Sequence, residues 1–251
     1  MTLKSPLKSK PWIDAALGLF YPNVCQICLA GEAGRDEGYV CLECRAEGVH
    51  VIEPPFCSRC GLKFRGEITE EFTCSNCAEM DLHFDSARAA VEFTPLVQEI
   101  VHRYKYNRAV WFEPFLAELL NGAALPIVNS ERFDLIVPIP LHPLKLRQRE
   151  FNQAAQLARA LSGATGISVG SRLVRRARDT ETQTALSRAK RTENMKNAFD
   201  WRSSRKLDGE RIVLIDDILT TGATASACAK VLRQNGASSV NVWTVARGGL
   251  K

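Results

Sequence analysis

The stretch that decides the fold runs from Arg211 to Gly236, RIVLIDDILTTGATASACAKVLRQNG. Its opening run, Ile212-Val213-Leu214-Ile215, is short, mostly β-branched and without polar alternation, which predicts a strand buried on both faces. Thr220-Thr221-Gly222-Ala223-Thr224 then turns into a helical pattern with Ala227, Cys228, Val231 and Leu232 on one face, ended by Asn235-Gly236. A strand, a turn bearing hydroxyls and glycine, and a helix N-terminus form a cradle for an anion. Asp216 and Asp217 stand where strand meets turn. They would repel a phosphate, so they read as acceptors for sugar hydroxyls or for water around Mg²⁺. A phosphate beside a free diol, as in a ribose 5-phosphate, satisfies both halves.

The segment from Ile212 to Thr224 resembles the signature of the type I phosphoribosyltransferases at every position. The resemblance implies that Asp216 and Asp217 bind the ribose hydroxyls of phosphoribosyl pyrophosphate together with Mg²⁺. It also implies that Thr220, Thr221, Gly222, Ala223 and Thr224 hold the 5′-phosphate. Purine-salvage members carry an acid at the position of Thr220, so the resemblance argues against a 6-oxopurine acceptor. The reaction implied is displacement of pyrophosphate from C1 of the ribose by a nitrogen nucleophile. That reaction needs held phosphates and a flap closed against water, and no side-chain nucleophile.

Eight of the nine cysteines fall in four Cys-x-x-Cys pairs: Cys25/Cys28, Cys41/Cys44, Cys57/Cys60 and Cys74/Cys77. Each pair can give two thiolates from one tight turn, and four thiolates close a tetrahedral structural zinc site. Two structural Zn²⁺ sites are expected. Spacing alone leaves sequential and interleaved pairing both open. A redox motif would need one pair, not four, and disulfides would need an oxidising compartment. Cys228, on the packed helix face, reads as a small core residue.

The chain of 251 residues carries a net charge of +5, and the surplus is local. Between Arg172 and Lys206 stand eleven Lys/Arg against four acids. No run is apolar enough to span a membrane. Strands are predicted over Ser86 to Phe93, Asp134 to Pro140, Ile167 to Val174 and Ser239 to Ala246, with a short one at Asn197 to Trp201. Helices are predicted over Pro95 to Tyr106, Trp111 to Leu120 and Phe151 to Leu161, with Asn121 to Arg132 a linker. His102 and Lys105 read as surface or boundary residues. Alternating strands and helices predict an α/β fold, a doubly wound parallel sheet, with ligands at the carboxyl ends of its strands. The expected organisation is a tail over 1–20, a double zinc-ribbon module over 21–82 and a phosphoribosyltransferase-like domain over 83–251. The basic segment after Pro140, with Leu141, His142, Arg147 and Arg149, is read as a loop feeding a helix N-terminus, a second anion site beside the first.

Zinc module, basic loop and signature together resemble the ComF family of competence-associated, phosphoribosyltransferase-like proteins. The family wording Arg-x-Arg-Gly-Phe-Asn-Gln stands here as Arg147-Gln148-Arg149-Glu150-Phe151-Asn152-Gln153, with Glu150 in place of the glycine. The likeness extends through Arg176, Thr180, Gln183, Leu186, Arg191 and Asn194, a segment that forms a flap in phosphoribosyltransferases; Arg178 and Gln183 are the candidates to reach the ligand. The family implies a cytoplasmic role in DNA uptake during natural transformation, peripheral at the inner membrane, with competence or helicase proteins as partners. The alternative is a non-catalytic binder of single-stranded DNA and protein partners. In it the basic stretch tracks the phosphate backbone while Phe199 and Trp201 stack on bases.

Overall fold

The structure, a computed structural model, describes residues 23–64, 66, 71–178 and 197–249. The tail over 1–20 and Gln183 lie outside the described residues. Four strands form a parallel sheet: β1 (Ser86–Glu92), β2 (Leu135–Pro138), β5 (Arg211–Leu219) and β6 (Ser239–Arg247), in the order β1-β6-β5-β2. Central β5 pairs β2 through Ile212 to Ile215 and β6 along nearly its whole length. Beyond β2 the sheet gains only a single bridge, Ile136 to Val169, so the strand expected over Ile167 to Val174 is reduced to that contact. A separate antiparallel pair joins β3 (Val174–Arg176) to β4 (Phe199–Trp201).

Successive β5 residues feed opposite cores, which is why the sequence shows no alternation. Val213 and Ile215 pack with Trp243 and Val245 into one core, and Ile212 and Leu214 with Val240 and Val242 into the other. The first core is covered by α3 (Pro95–Tyr106), α4 (Glu113–Ser130) and α6 (Gln153–Thr165). On the second lie α7 (Ala223–Gln234) and the β3–β4 pair. Helices on both faces make the fold doubly wound. Helix α3 has the predicted bounds. Thr94 caps it by accepting from the Val97 N–H at 3.3 Å, and Pro95 opens its first turn.

Two expectations are corrected. The linker over Asn121 to Arg132 is mostly helix, because α4 continues to Ser130 through Gly122 and Pro126. Leu120, Ala124 and Val128 repeat at four-residue spacing and are buried, so packing of that stripe overrides two local breakers. The basic loop after Pro140 is itself a short helix, α5 (Pro143–Arg149).

The eight paired cysteines gather in two clusters, Cys25/Cys28/Cys41/Cys44 and Cys57/Cys60/Cys74/Cys77, so the pairing is sequential. Short helices α1 (Leu42–Gly48) and α2 (Ser75–Glu79) start within the second cysteine pair of each, directly after Cys41 and Cys74. The knots flank the sheet. Ile27, Cys44 and Val40 of the first join the core under α4, while Cys57, Cys60 and Cys77 belong to the core under α7. Between them, the Ile52 N–H donates to the Ala90 carbonyl and the Glu92 N–H to the His50 carbonyl, closing the free edge of β1. Gly61, at φ +64, brings the second knot against β1; a Cβ there would stand 2.7 Å from the Ala87 carbonyl oxygen. Among the described residues no helix is long and apolar enough to cross a membrane.

Candidate functional site

At the carboxyl end of β5 the sheet opens into a cleft of about 290 Å³. Its wall includes Asp216, Asp217 and Thr220 from the strand end and turn, and Gly222 to Ala225 from the start of α7. Gly222 takes φ +83, a conformation that glycine adopts without penalty, and from there α7 begins. Thr221 is buried, and its hydroxyl accepts from the Ala223 N–H at 3.4 Å, which tightens the turn. Thr221 therefore serves the turn's shape and does not line the cleft, whereas Thr220 and Thr224 do.

Strand periodicity separates the two acids. Asp217 is nearly buried and lies 2.6 Å from the Lys105 ammonium, which reaches down from the last turn of α3. Lys105 is a boundary residue, as expected, but its charge points into the cleft. The sequence marks it only by its place between the buried Val101 and Tyr104 and the end of the helix, so its partner was not legible. Asp216, half-buried, accepts from the Asp217 N–H at 2.9 Å. Burial, then the neighbouring Asp217 charge, pushes its carboxyl up to about 7; Lys105, that N–H and Arg176 pull the other way. Cys228 is fully buried, and burial followed by the Asp216 charge raises its thiol, as suits a core residue.

The basic segment is brought alongside in part. Leu141, Lys145 and Arg149 line the cleft opposite the turn, with Asn152 and Gln153. Arg149 lies over the Tyr106 ring at 4.9 Å and donates to the Tyr106 hydroxyl at 3.1 Å and to Gln153 Oε1 at 3.3 Å. His142 and Arg147 do not line the cleft. His142 caps α5, its Nδ1 accepting from the Leu144 N–H at 3.4 Å, and Arg147 is exposed. Glu150 ends α5 at φ +68 and pairs with Arg108 at 2.7 Å, so the unexpected acid points away from the cleft.

Residues 179–196 of the segment read as a flap lie outside the described residues, and Arg176, its first residue, lies in β3 and lines the cleft. Arg178 is exposed and does not line it. The base-stacking reading is corrected here for Phe199. Phe199 is buried in the core under α7 and offers no face to a base, while Trp201, partly buried, packs against the same core. Arg175 is paired with Asp200 at 3.1 Å.

In both cysteine knots the geometry fits zinc. Sulfur atoms stand 3.7–3.8 Å apart across each cluster. Four thiolates about 2.3 Å from a tetrahedral Zn²⁺ stand roughly 3.8 Å apart, and a disulfide would need roughly 2.05 Å. Backbone N–H groups support the sulfurs: Cys41 donates to Cys25, Gly31 to Cys28 and Cys74 to Cys57. The Gly31 and Ala30 N–H groups draw the Cys28 thiol down to about 6, toward the thiolate that binds metal.

Comparison with known proteins agrees with both halves. The family model described as a double zinc ribbon domain matches residues 16–78, and that described as a phosphoribosyl transferase domain matches residues 151–250. Competence protein F of Haemophilus influenzae is 29% identical over 221 residues, covering 82% of this chain and 96% of its own. DNA utilization protein YhgH of Salmonella typhimurium is 31% identical over 232 residues, covering 91% of this chain and 99% of its own. Competence protein ComFC of Bacillus subtilis is 28% identical over 244 residues, covering 92% and 88%. Among solved structures, adenine phosphoribosyltransferase from Saccharomyces cerevisiae is 17% identical and covers 66% of this chain and 80% of its own, at a TM-score of 0.34. The chain thus has two four-cysteine clusters of a double zinc ribbon and a parallel sheet with the phosphoribosyltransferase signature on its central strand, and it belongs to the ComF family.

Proposed function

We propose that the cleft binds phosphoribosyl pyrophosphate with Mg²⁺. The observation that carries this reading is the meeting of two adjacent acids, a left-handed glycine turn opening a helix, and the cations Lys105, Lys145, Arg149 and Arg176 around one cavity. The N-terminus of α7 and Thr224 hold the 5′-phosphate. Asp216 and Asp217 accept the ribose hydroxyls. Lys145 and Arg149, on the facing wall, neutralise the pyrophosphate. Asp216 and Asp217 would hold Mg²⁺, which would supply positive charge to offset the pyrophosphate. Lys105, 2.6 Å from Asp217, aims that carboxylate and adds a cation beside the pyrophosphate side of the cleft.

The two knots hold structural Zn²⁺, with Cys25, Cys28, Cys41 and Cys44 on one ion and Cys57, Cys60, Cys74 and Cys77 on the other. Closed four-thiolate sites leave no open position, so they shape the chain and do not catalyse. We place the protein in the handling of incoming DNA, a reading supported by the names competence protein and DNA utilization protein that its relatives bear. Calorimetry tests the pocket. Phosphoribosyl pyrophosphate with Mg²⁺ should bind more tightly than either ribose 5-phosphate or pyrophosphate alone. Equal affinity for pyrophosphate alone would remove the sugar site from the account.

A further inference from the structure

Arg247, the last residue of β6, is buried, and its side chain has two ends. One end lies on the second cysteine knot: Nε donates to the Cys60 carbonyl at 3.1 Å, and Nη2 lies 3.5 Å from Cys60 Sγ. The other lies on the start of the glycine turn: Nη1 donates to the carbonyls of Leu219 at 3.1 Å, Gly248 at 2.5 Å and Thr220. The Gly248 N–H returns a bond to the Leu219 carbonyl at 2.8 Å, so the end of β6 and the start of the turn are stitched together at this guanidinium.

Charge gives the arrangement its logic. Zn²⁺ with four thiolates carries a net charge of about −2, and a charge buried beside a core needs compensation. Among the described residues, guanidinium groups of Arg88 and Arg247 reach this knot from the sheet. Half-buried Arg88 donates to the Ser58 and Ala87 carbonyls at 2.8 and 2.9 Å, and Arg247 reaches Cys60 itself. A donor on a metal-bound thiolate is held by the cluster's negative charge and in turn orients the ligand. Without the metal the four sulfurs are no longer held at one centre, and Cys60 no longer offers Nη2 a fixed partner. The same rigid plane fixes the Leu219 and Thr220 carbonyls, where the strand gives way to the turn. The first knot has no such link among the described residues; it meets α3 through Arg103 and α4 through Arg45.

We propose that Arg247 is a positioning residue that couples zinc in the second knot to the shape of the turn over Thr220–Thr224. The inference rests on the reading of that turn as the phosphate site. It assigns the second knot a task that the first does not have: holding the ligand cleft in its binding shape.

Amide hydrogen exchange on the full chain, zinc-loaded, tests the coupling without any ligand. Arg247→Gln should exchange at least about fivefold faster over 216–226, with 25–44 unchanged, and Arg247→Lys should lie between. Zinc release to a chelator should quicken at one of the two sites. Affinity for phosphoribosyl pyrophosphate with Mg²⁺ should fall about tenfold. A folded Arg247→Gln with exchange over 216–226 as slow as wild type overturns the proposal. Should Arg247→Gln not fold, Arg247→Lys carries the same comparison, and wild type adds a reciprocal one. Bound ligand should slow zinc release from one site about fivefold, and release unaltered by bound ligand counts against the coupling. If wild type binds no phosphoribosyl pyrophosphate while exchange over 216–226 still responds to Arg247, the functional reading falls and the coupling stands.

Discussion

At Asp216 a single proton decides whether the cleft can hold a cation or a diol. Its carboxyl is pushed up to about 7 by burial and the Asp217 charge. An acid whose pKa is higher in the folded chain binds its proton more tightly when folded. Its contribution to stability is therefore full below the unfolded value near 3.8 and is lost as pH rises through about 7. On the proposed reading binding runs the opposite way, because the charged carboxylate is a stronger acceptor for the diol and balances the cation, which the neutral acid does not. Affinity for phosphoribosyl pyrophosphate with Mg²⁺ should rise by about tenfold from pH 6 to pH 8, and Asp216→Asn should flatten the profile beyond the ligand's own titration. A profile unchanged by Asp216→Asn would remove this carboxyl from binding. Glu150 offers a second residue-scale test. It holds φ +68, and both it and its partner Arg108 are well exposed. The left-handed conformation costs an L-residue about 1 kcal/mol, and an exposed ion pair returns little. Glu150→Gly should raise Tm by roughly 2–4 °C in a thermal melt; a lower Tm would mean that the Arg108 pair outweighs the strain. The sequence shows that a glycine is replaced here. It does not show that the acid turns away, because that direction is set by Arg108, 42 positions earlier in the chain.

At the scale of elements, the parts set by local chemistry were legible. Strand β5, the turn at Gly222, α7 and α3 are where apolar spacing and capping residues put them. Elements decided by distant packing were not. Helix α4 runs through Pro126 because Ala124 and Val128 continue its buried stripe. An exposed proline inside a helix leaves the carbonyl four residues back, at Gly122, without its helical donor. Pro126→Ala should stabilise the protein by about 1–3 kcal/mol, read as a higher denaturation midpoint with an unchanged m-value. A loss of stability would mean that Pro126 shapes the helix for its packing on α6. Helix α5 was missed because its apolar residues, Leu144 and Leu146, are exposed and give no periodic signal. The partners of the site were legible only in part. Arg149 reaches the cleft from a motif readable in sequence, while Lys105 reaches it from an ordinary amphipathic helix.

Over the whole molecule, the cysteine knots are the elements whose role was least visible. Their spacing announces zinc, but not that the first closes over the α4 core and the second over the α7 core. Ile52 and Glu92 tie the segment between the knots to the edge of β1. Zinc binding is thereby linked to folding of the sheet as well as of the knots. Calorimetric melting should show one transition in the zinc-loaded protein, and chelation should lower that transition as a whole. A sheet that melts at the same temperature after chelation would make the knots a separate unit. At the carboxyl ends of the strands, β5, α7 and the cations of α3 and α5 meet around the cleft. The most direct measurement is calorimetric titration of phosphoribosyl pyrophosphate with Mg²⁺ at pH 8, comparing wild type with the Asp216→Asn/Asp217→Asn variant. Saturable binding in wild type, abolished in the folded variant, is the predicted result; no binding by wild type, or equal binding by both, would contradict it.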